Sequence, residues 1–96
     1  MIETQTRVIT PNGAKYAQQL CKHFAHKIPA TFSDGHAECR FDAGTAVMDA
    51  DGDGLTIKVS ATDSGGAERV QQVIESHLLR FAFREQLSAF QWGPIQ

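Results

Sequence analysis

Three stretches between residues 37 and 61 alternate apolar and polar side chains, and nothing else in the chain restricts its fold as strongly. Ala37, Cys39 and Phe41, then Ala46 and Met48, then Leu55, Ile57, Val59 and Ala61 form the apolar side; Glu38, Arg40, Thr45, Asp49, Thr56, Lys58 and Ser60 form the other. Successive side chains of a strand point to opposite faces, so each stretch reads as a strand with one dry face. Turn residues separate them at 42–44 and 51–54. The pattern therefore predicts an antiparallel meander that needs a second layer over one side only.

Two amphipathic segments supply that layer. Ala17, Leu20, Cys21, Phe24 and Ile28 recur at spacings of three and four on one helical stripe, with Asn12 placed to cap the start and Pro29 to stop the end. A second helix is expected from Ser64 to about Glu85, with Ala67, Val70, Ile74, His77, Leu78 and Phe81 on its stripe. Residues of about 3–10 read as a leading strand, and those around Leu87 to Trp92 as a closing one. The expected fold is an α+β two-layer sandwich, β-α-β-β-β-α-β, with a mainly antiparallel sheet and both helices on one face. Its 96 residues make a single domain, 1–96, without repeat or linker. Leu79 and Phe83 project about 140° and 180° from the core stripe of the second helix, so either the helix end bends or the last strand folds over them, or they form an interface for self-association or a partner.

Charge narrows the partners. Residues 12–28 hold Lys15, Lys22 and Lys27 and no acid, a local +3; residues 34–63 hold seven acids against Arg40 and Lys58, a local −5. The remaining segments sum to zero, giving the net charge of −2. This separation is not the basic footprint that nucleic acid requires. No apolar run approaches the length of a membrane span, and the first residues lack the basic start and apolar centre of a signal peptide, so a cytoplasmic protein is expected. Cys21 and Cys39 both fall on apolar stripes and read as small buried hydrophobes with reduced thiols.

The histidines are the candidate chemistry. His23 and His26 stand three apart on the first helix, about 60° apart on its surface, and His77 lies within the stripe of the second. If the helices pack side by side, the three imidazoles form a set suited to iron, zinc or copper with a position left open; a hydrogen-bonded core His77 with solvated His23 and His26 is the other reading. Arg69, Arg80 and Arg84 lie with His77 on one flank of the second helix and Lys15, Lys22, His23 and His26 along one side of the first, either a positive surface for an anionic ligand or acidic partner or, since Glu68, Glu75 and Glu85 dilute it, ordinary solvated helix faces. Asp49, Asp51, Asp53 and Gly54 match the opening of a calcium loop, but its twelfth position falls on Ser60, which cannot supply the bidentate carboxylate; a hairpin turn explains the same letters. Cys21 and His23 point about 160° apart on a helix and make no nucleophile pair.

LCKHFAHKIPA at 20–30 and SHLLRFAFRE at 76–85 resemble a family of small bacterial proteins classed as a domain of unknown function, whose members occur alone or near siderophore-interacting flavin reductases. The resemblance highlights Leu20, Cys21, His23, Phe24, His26, Lys27 and Pro29, then His77, Arg80, Phe81, Arg84 and Glu85. It implies a link to iron handling and a flavin-dependent siderophore-interacting reductase as a partner. The combined expectation is a cytoplasmic accessory module that offers His23, His26, Lys27, His77, Arg80 and Arg84 to a ligand or partner. The alternative is a small metal-dependent enzyme with iron or zinc on His23, His26 and His77 and a carboxylate such as Glu85 as acid or base. No secure nucleophile, base and orienting group stand together in the sequence, which favours the binding module.

Overall fold

The computed structural model describes residues 1–93. β1 (Ile2–Ile9) leads into α1 (Gly13–Phe24), and then β2 (Ala30–Ser33), β3 (His36–Phe41), β4 (Gly44–Ala50) and β5 (Gly54–Ala61) follow in succession before α2 (Ser64–Phe81) and a short 3-10 turn at Phe83–Glu85. The five strands form one sheet in the order β1-β5-β4-β3-β2, every pair antiparallel. Both helices lie on the same face, so the α+β two-layer sandwich is as expected.

The element order is β-α-β-β-β-β-α, which corrects the expected one at two places. The additional strand is β2. Asp34 and Gly35 both take positive φ, 50° and 79°, the conformation of a two-residue hairpin turn, and they pair Ser33 directly with His36. The closing strand does not form: residues 87–93 have no regular secondary structure. They run as a strap against β1. The Thr4 and Thr6 hydroxyls donate to the carbonyls of Gly93 and Gln91 at 2.7 and 2.9 Å, and the Gly93 N–H donates to the Gln5 carbonyl at 2.8 Å. β1 turns polar Thr4 and Thr6 inward, Thr10 follows just after it, and all three are buried. Side-chain hydroxyls thus take the carbonyls that a backbone ladder would have used.

The core forms where the stripes meet the dry face. Ala17 and Leu20 of α1, Ala67, Ile74 and Leu78 of α2, and Met48, Leu55, Ile57 and Val59 of the sheet are fully buried. A large aliphatic side chain so placed contributes about 1.5–3 kcal/mol. α1 ends at Phe24, short of Pro29, because Lys27 and Ile28 both donate their N–H to the Phe24 carbonyl and turn the chain. The helix starts differ. Asp63 caps α2 by accepting the Gly66 N–H at 2.7 Å, whereas Asn12 makes no side-chain cap and donates instead to Glu85. Among the described residues no helix is long and apolar enough to cross a membrane.

Candidate functional site

The last turn of α1 and the last two turns of α2 meet in a seam of rings. His23 and His77 face each other with centroids 4.9 Å apart and planes inclined by 48°. Phe24 packs edge-on to His77 at 5.0 Å and to Phe41, at the end of β3, also at 5.0 Å. Phe81, four residues after His77 and therefore on the same side of α2, closes the seam 6.0 Å from His23. Phe24 is buried, His77 and Phe81 are half-buried, and His23 is exposed, so the seam runs from the core to the surface.

His77 has a defined proton. Its Nδ1 lies 2.7 Å from the Val73 carbonyl, which only accepts, so Nδ1 carries the hydrogen and the neutral ring keeps its lone pair on Nε2. That nitrogen is the one available to a ligand. Lys27, Arg80 and Arg84 are all exposed. Arg84 places its guanidinium carbon 5.5 Å from the centre of the Phe83 ring, a cation–π contact outside the seam.

Two of the three expected imidazoles are brought together. The offset of about 60° between His23 and His26 presumes an unbroken helix, but α1 stops at Phe24 and His26 falls in the exposed turn beyond it. No group of three or more His, Cys, Asp or Glu is gathered in metal-ligating geometry among the described residues. Glu85 stands near residues 10–16, at the start of α1, roughly 10–15 Å along that helix from His23 at 1.5 Å per residue. It accepts from the Tyr16 hydroxyl, from Thr10 Oγ1 at 2.7 Å and from Asn12 Nδ2 at 2.9 Å. These bonds, with Tyr16 foremost, hold its carboxyl below the ordinary range. Its role is to fasten the chain after α2 to the start of α1, not to serve the imidazoles.

The aspartates of the β4–β5 turn are also committed. Asp51 accepts from the N–H groups of Asp53 and Gly54 and pairs with Arg7 at 2.9 Å, which brings its carboxyl down to about 2, the Arg7 contact contributing most. Asp49 pairs with His36 at 2.6 Å across the outer face of the sheet. Turn and cross-strand chemistry thus account for both. Cys21 and Cys39 are buried with sulfurs 3.9 Å apart and no bridge, and the Cys21 thiol donates to the Thr31 carbonyl. Burial pushes the Cys39 thiol up to about 12. Leu79 is half-buried beside Trp92 in a surface cleft of about 630 Å3, and Phe83 is 66% exposed. Phe41 is the site residue that the histidine spacing did not indicate; as the last inward position of β3 it was marked only as core.

A two-layer sandwich with a histidine and phenylalanine seam between its helices defines the class of this molecule. Residues 5–93 match the family described as uncharacterized proteins conserved in bacteria, DUF2218, and the chain belongs to that family. It is similar to PA4090 of Pseudomonas aeruginosa, a structure determined by NMR, with 26% identity over 98% of this chain and 97% of that one and a TM-score of 0.84. No protein of curated function matches.

Proposed function

We propose that this protein is a small ligand-binding accessory module whose site is the His23–His77 pair. The observation that carries the reading is the meeting of two imidazoles at 4.9 Å on a phenylalanine floor, one of them with its Nδ1 proton fixed by Val73. Such a pair offers nitrogen lone pairs to a first-row metal ion and flat faces to an aromatic ligand. The exposed cations Lys27 and Arg80 near the ends of the two helices favour a ligand that carries negative charge. His26, in the turn after α1, would join only if that turn moved. The finer assignment, to iron or siderophore handling in the cytoplasm with a flavin-dependent siderophore-interacting reductase as partner, rests on the family resemblance. An unbridged, buried thiol pair supports the reducing compartment.

The test uses Fe2+, Zn2+ and 2,3-dihydroxybenzoate as probes, with bound metal measured by elemental analysis after dialysis and the imidazole resonances followed by NMR. One equivalent of metal or catecholate is expected to shift both rings and to be lost in His23→Ala and in His77→Ala while the circular dichroism spectrum is kept. If none of the probes binds and the variants are merely less stable, the pair is a packing contact and the proposal fails. Self-association through Leu79 and Phe83 is a separate proposal, supported by the exposure of Phe83. The double change Leu79→Glu, Phe83→Glu is expected to delay elution on a sizing column, and unchanged elution sinks it.

A further inference from the structure

The chain after α1, the β3–β4 turn and the first turns of α2 enclose a second groove that does not use the imidazole pair. Ile28, Phe41, Val70 and Val73 form its apolar lining, and Asp42 and Arg69 complete it, around a volume of about 240 Å3. An apolar cavity of about 150 Å3 accommodates benzene, so this groove has room for one branched or aromatic side chain. Asp42 and Arg69 also line an adjoining hollow of about 270 Å3 toward the start of α2, and so stand where the two spaces meet. Both are exposed, and neither forms an ion pair among the described residues. Their positions are set by close backbone packing: a Cβ on Gly66 would stand 2.5 Å from the Ala43 carbonyl oxygen, so a bare glycine lets α2 lie directly on the turn that carries Asp42.

We propose that this groove binds a zwitterionic α-amino acid with an apolar side chain, of the leucine or phenylalanine class. Arg69 takes the α-carboxylate, through the two parallel hydrogen bonds that a guanidinium can make to it. Asp42 takes the α-ammonium, and the side chain lies against Phe41, Ile28, Val70 and Val73. Charge selects the class. A simple carboxylate would be drawn to Arg69 but meet Asp42, and a simple amine would meet the reverse. Only a ligand carrying both charged groups on one carbon, with an apolar body, satisfies the whole lining. The inference goes beyond the imidazole reading: the groove borders that seam at Phe41 and Val73, but its charged groups, Asp42 and Arg69, take no part in the imidazole pair.

The experiment is an NMR titration of the whole chain with L-leucine and L-phenylalanine to about 10 mM, against 4-methylpentanoate, which lacks the amine, and 3-methylbutylamine, which lacks the carboxylate. Saturable shifts are expected at the amides of residues 41–44 and 69–73, with each analogue bound at least tenfold more weakly. Asp42→Asn and Arg69→Gln, both at exposed positions, are each expected to weaken leucine about tenfold and to leave the remaining spectrum in place. Absence of saturable shifts with both amino acids overturns the proposal. So does equal binding of the analogues, which would reduce the groove to an apolar contact. The imidazole titrations read other resonances, so either site can fail without the other.

Discussion

Glu85 shows how one residue can set the behaviour of a whole segment. Its carboxylate gathers Tyr16, Asn12 and Thr10, and those bonds hold its pKa below the ordinary 4.5. A depressed carboxyl contributes stability that is fully present above its unfolded value and is lost as pH falls through the folded one. Glu85→Gln is therefore expected to melt at a lower temperature than the parent near neutral pH, and the difference should close as both are taken down to about pH 3. A gap that stays constant over that range would show that the carboxylate charge contributes nothing. Cys39 makes the opposite case. With its thiol pushed up to about 12 by burial, and Cys21 also raised by burial, thiolate is scarce. Ellman's reagent near pH 8 is expected to leave both thiols of the native protein unmodified and to titrate two in denaturant. The burial of Cys21 and Cys39 was legible in the sequence, because each sits on an apolar stripe. The Glu85 cluster was not, since Tyr16 and Thr10 lie 69 and 75 residues away along the chain and periodicity is blind to such pairs.

At the scale of elements, what periodicity could show is what a stripe or an alternation records. The two helices and the strands from β3 to β5 follow from those patterns. β2 alternates, with Ala30 and Phe32 toward the core and Thr31 and Ser33 outward, but four residues are too few for periodicity to mark a strand, and the Asp34–Gly35 pair is the hairpin signal that would have revealed it. The strap after α2 misled for a different reason. Phe90 and Trp92 alternate like inward strand positions and, with Leu87, do pack on the core, but the strap's backbone is fastened by the Thr4 and Thr6 hydroxyls at the Gly93 and Gln91 carbonyls, and its Trp92 side chain donates from Nε1 to Glu75 at 2.8 Å. The imidazole seam was half legible. The stripe of α2 placed His77 and Phe81 together, but where α1 ends is decided by the hydrogen bonds of residues 25–28, and that decided against His26. Gly66 tests how elements fix a site. Gly66→Ala would drive a Cβ into the Ala43 carbonyl, and because backbone cannot step aside cheaply a loss of about 1–3 kcal/mol is expected in urea unfolding. The same variant should perturb the amides around Asp42 and Arg69 while leaving the His23 and His77 rings as they are. Unaltered stability would mean that the start of α2 shifts freely and does not hold the groove.

For the whole molecule, the sheet order decides which parts open together. Alternation assigns faces and not neighbours, so the sequence left open that β1 would pair with β5 and leave β2 at the far edge. That order puts β5 between two partners along its length, with Ile57 matched to Thr6 on one side and to Met48 on the other, and turns Leu55, Ile57 and Val59 wholly inward. α1 crosses from β5, where a Cβ on Gly13 would touch the Gly54 carbonyl, over β4 to β3 and β2, so a single helix ties these four strands together. The strap is tied differently, with one backbone bond to β1 through Gly93 and one from the Phe90 N–H to Glu75. Local openings draw on segments held by few buried contacts, whereas central strands exchange only on global unfolding. In native-state hydrogen exchange the amides of β5 are thus expected to define the slowest class, and Gly93 and Phe90 a much faster one. Thr6→Val removes one strap bond, worth about 1 kcal/mol. It should speed Gly93 further and slow nothing, with β5 changing only by the loss of global stability. If Gly93 instead exchanges at the rate of β5 in both proteins, strap and sheet unfold as one cooperative unit, and the hydroxyl bonds of β1 are as much a part of the core as the helices above them.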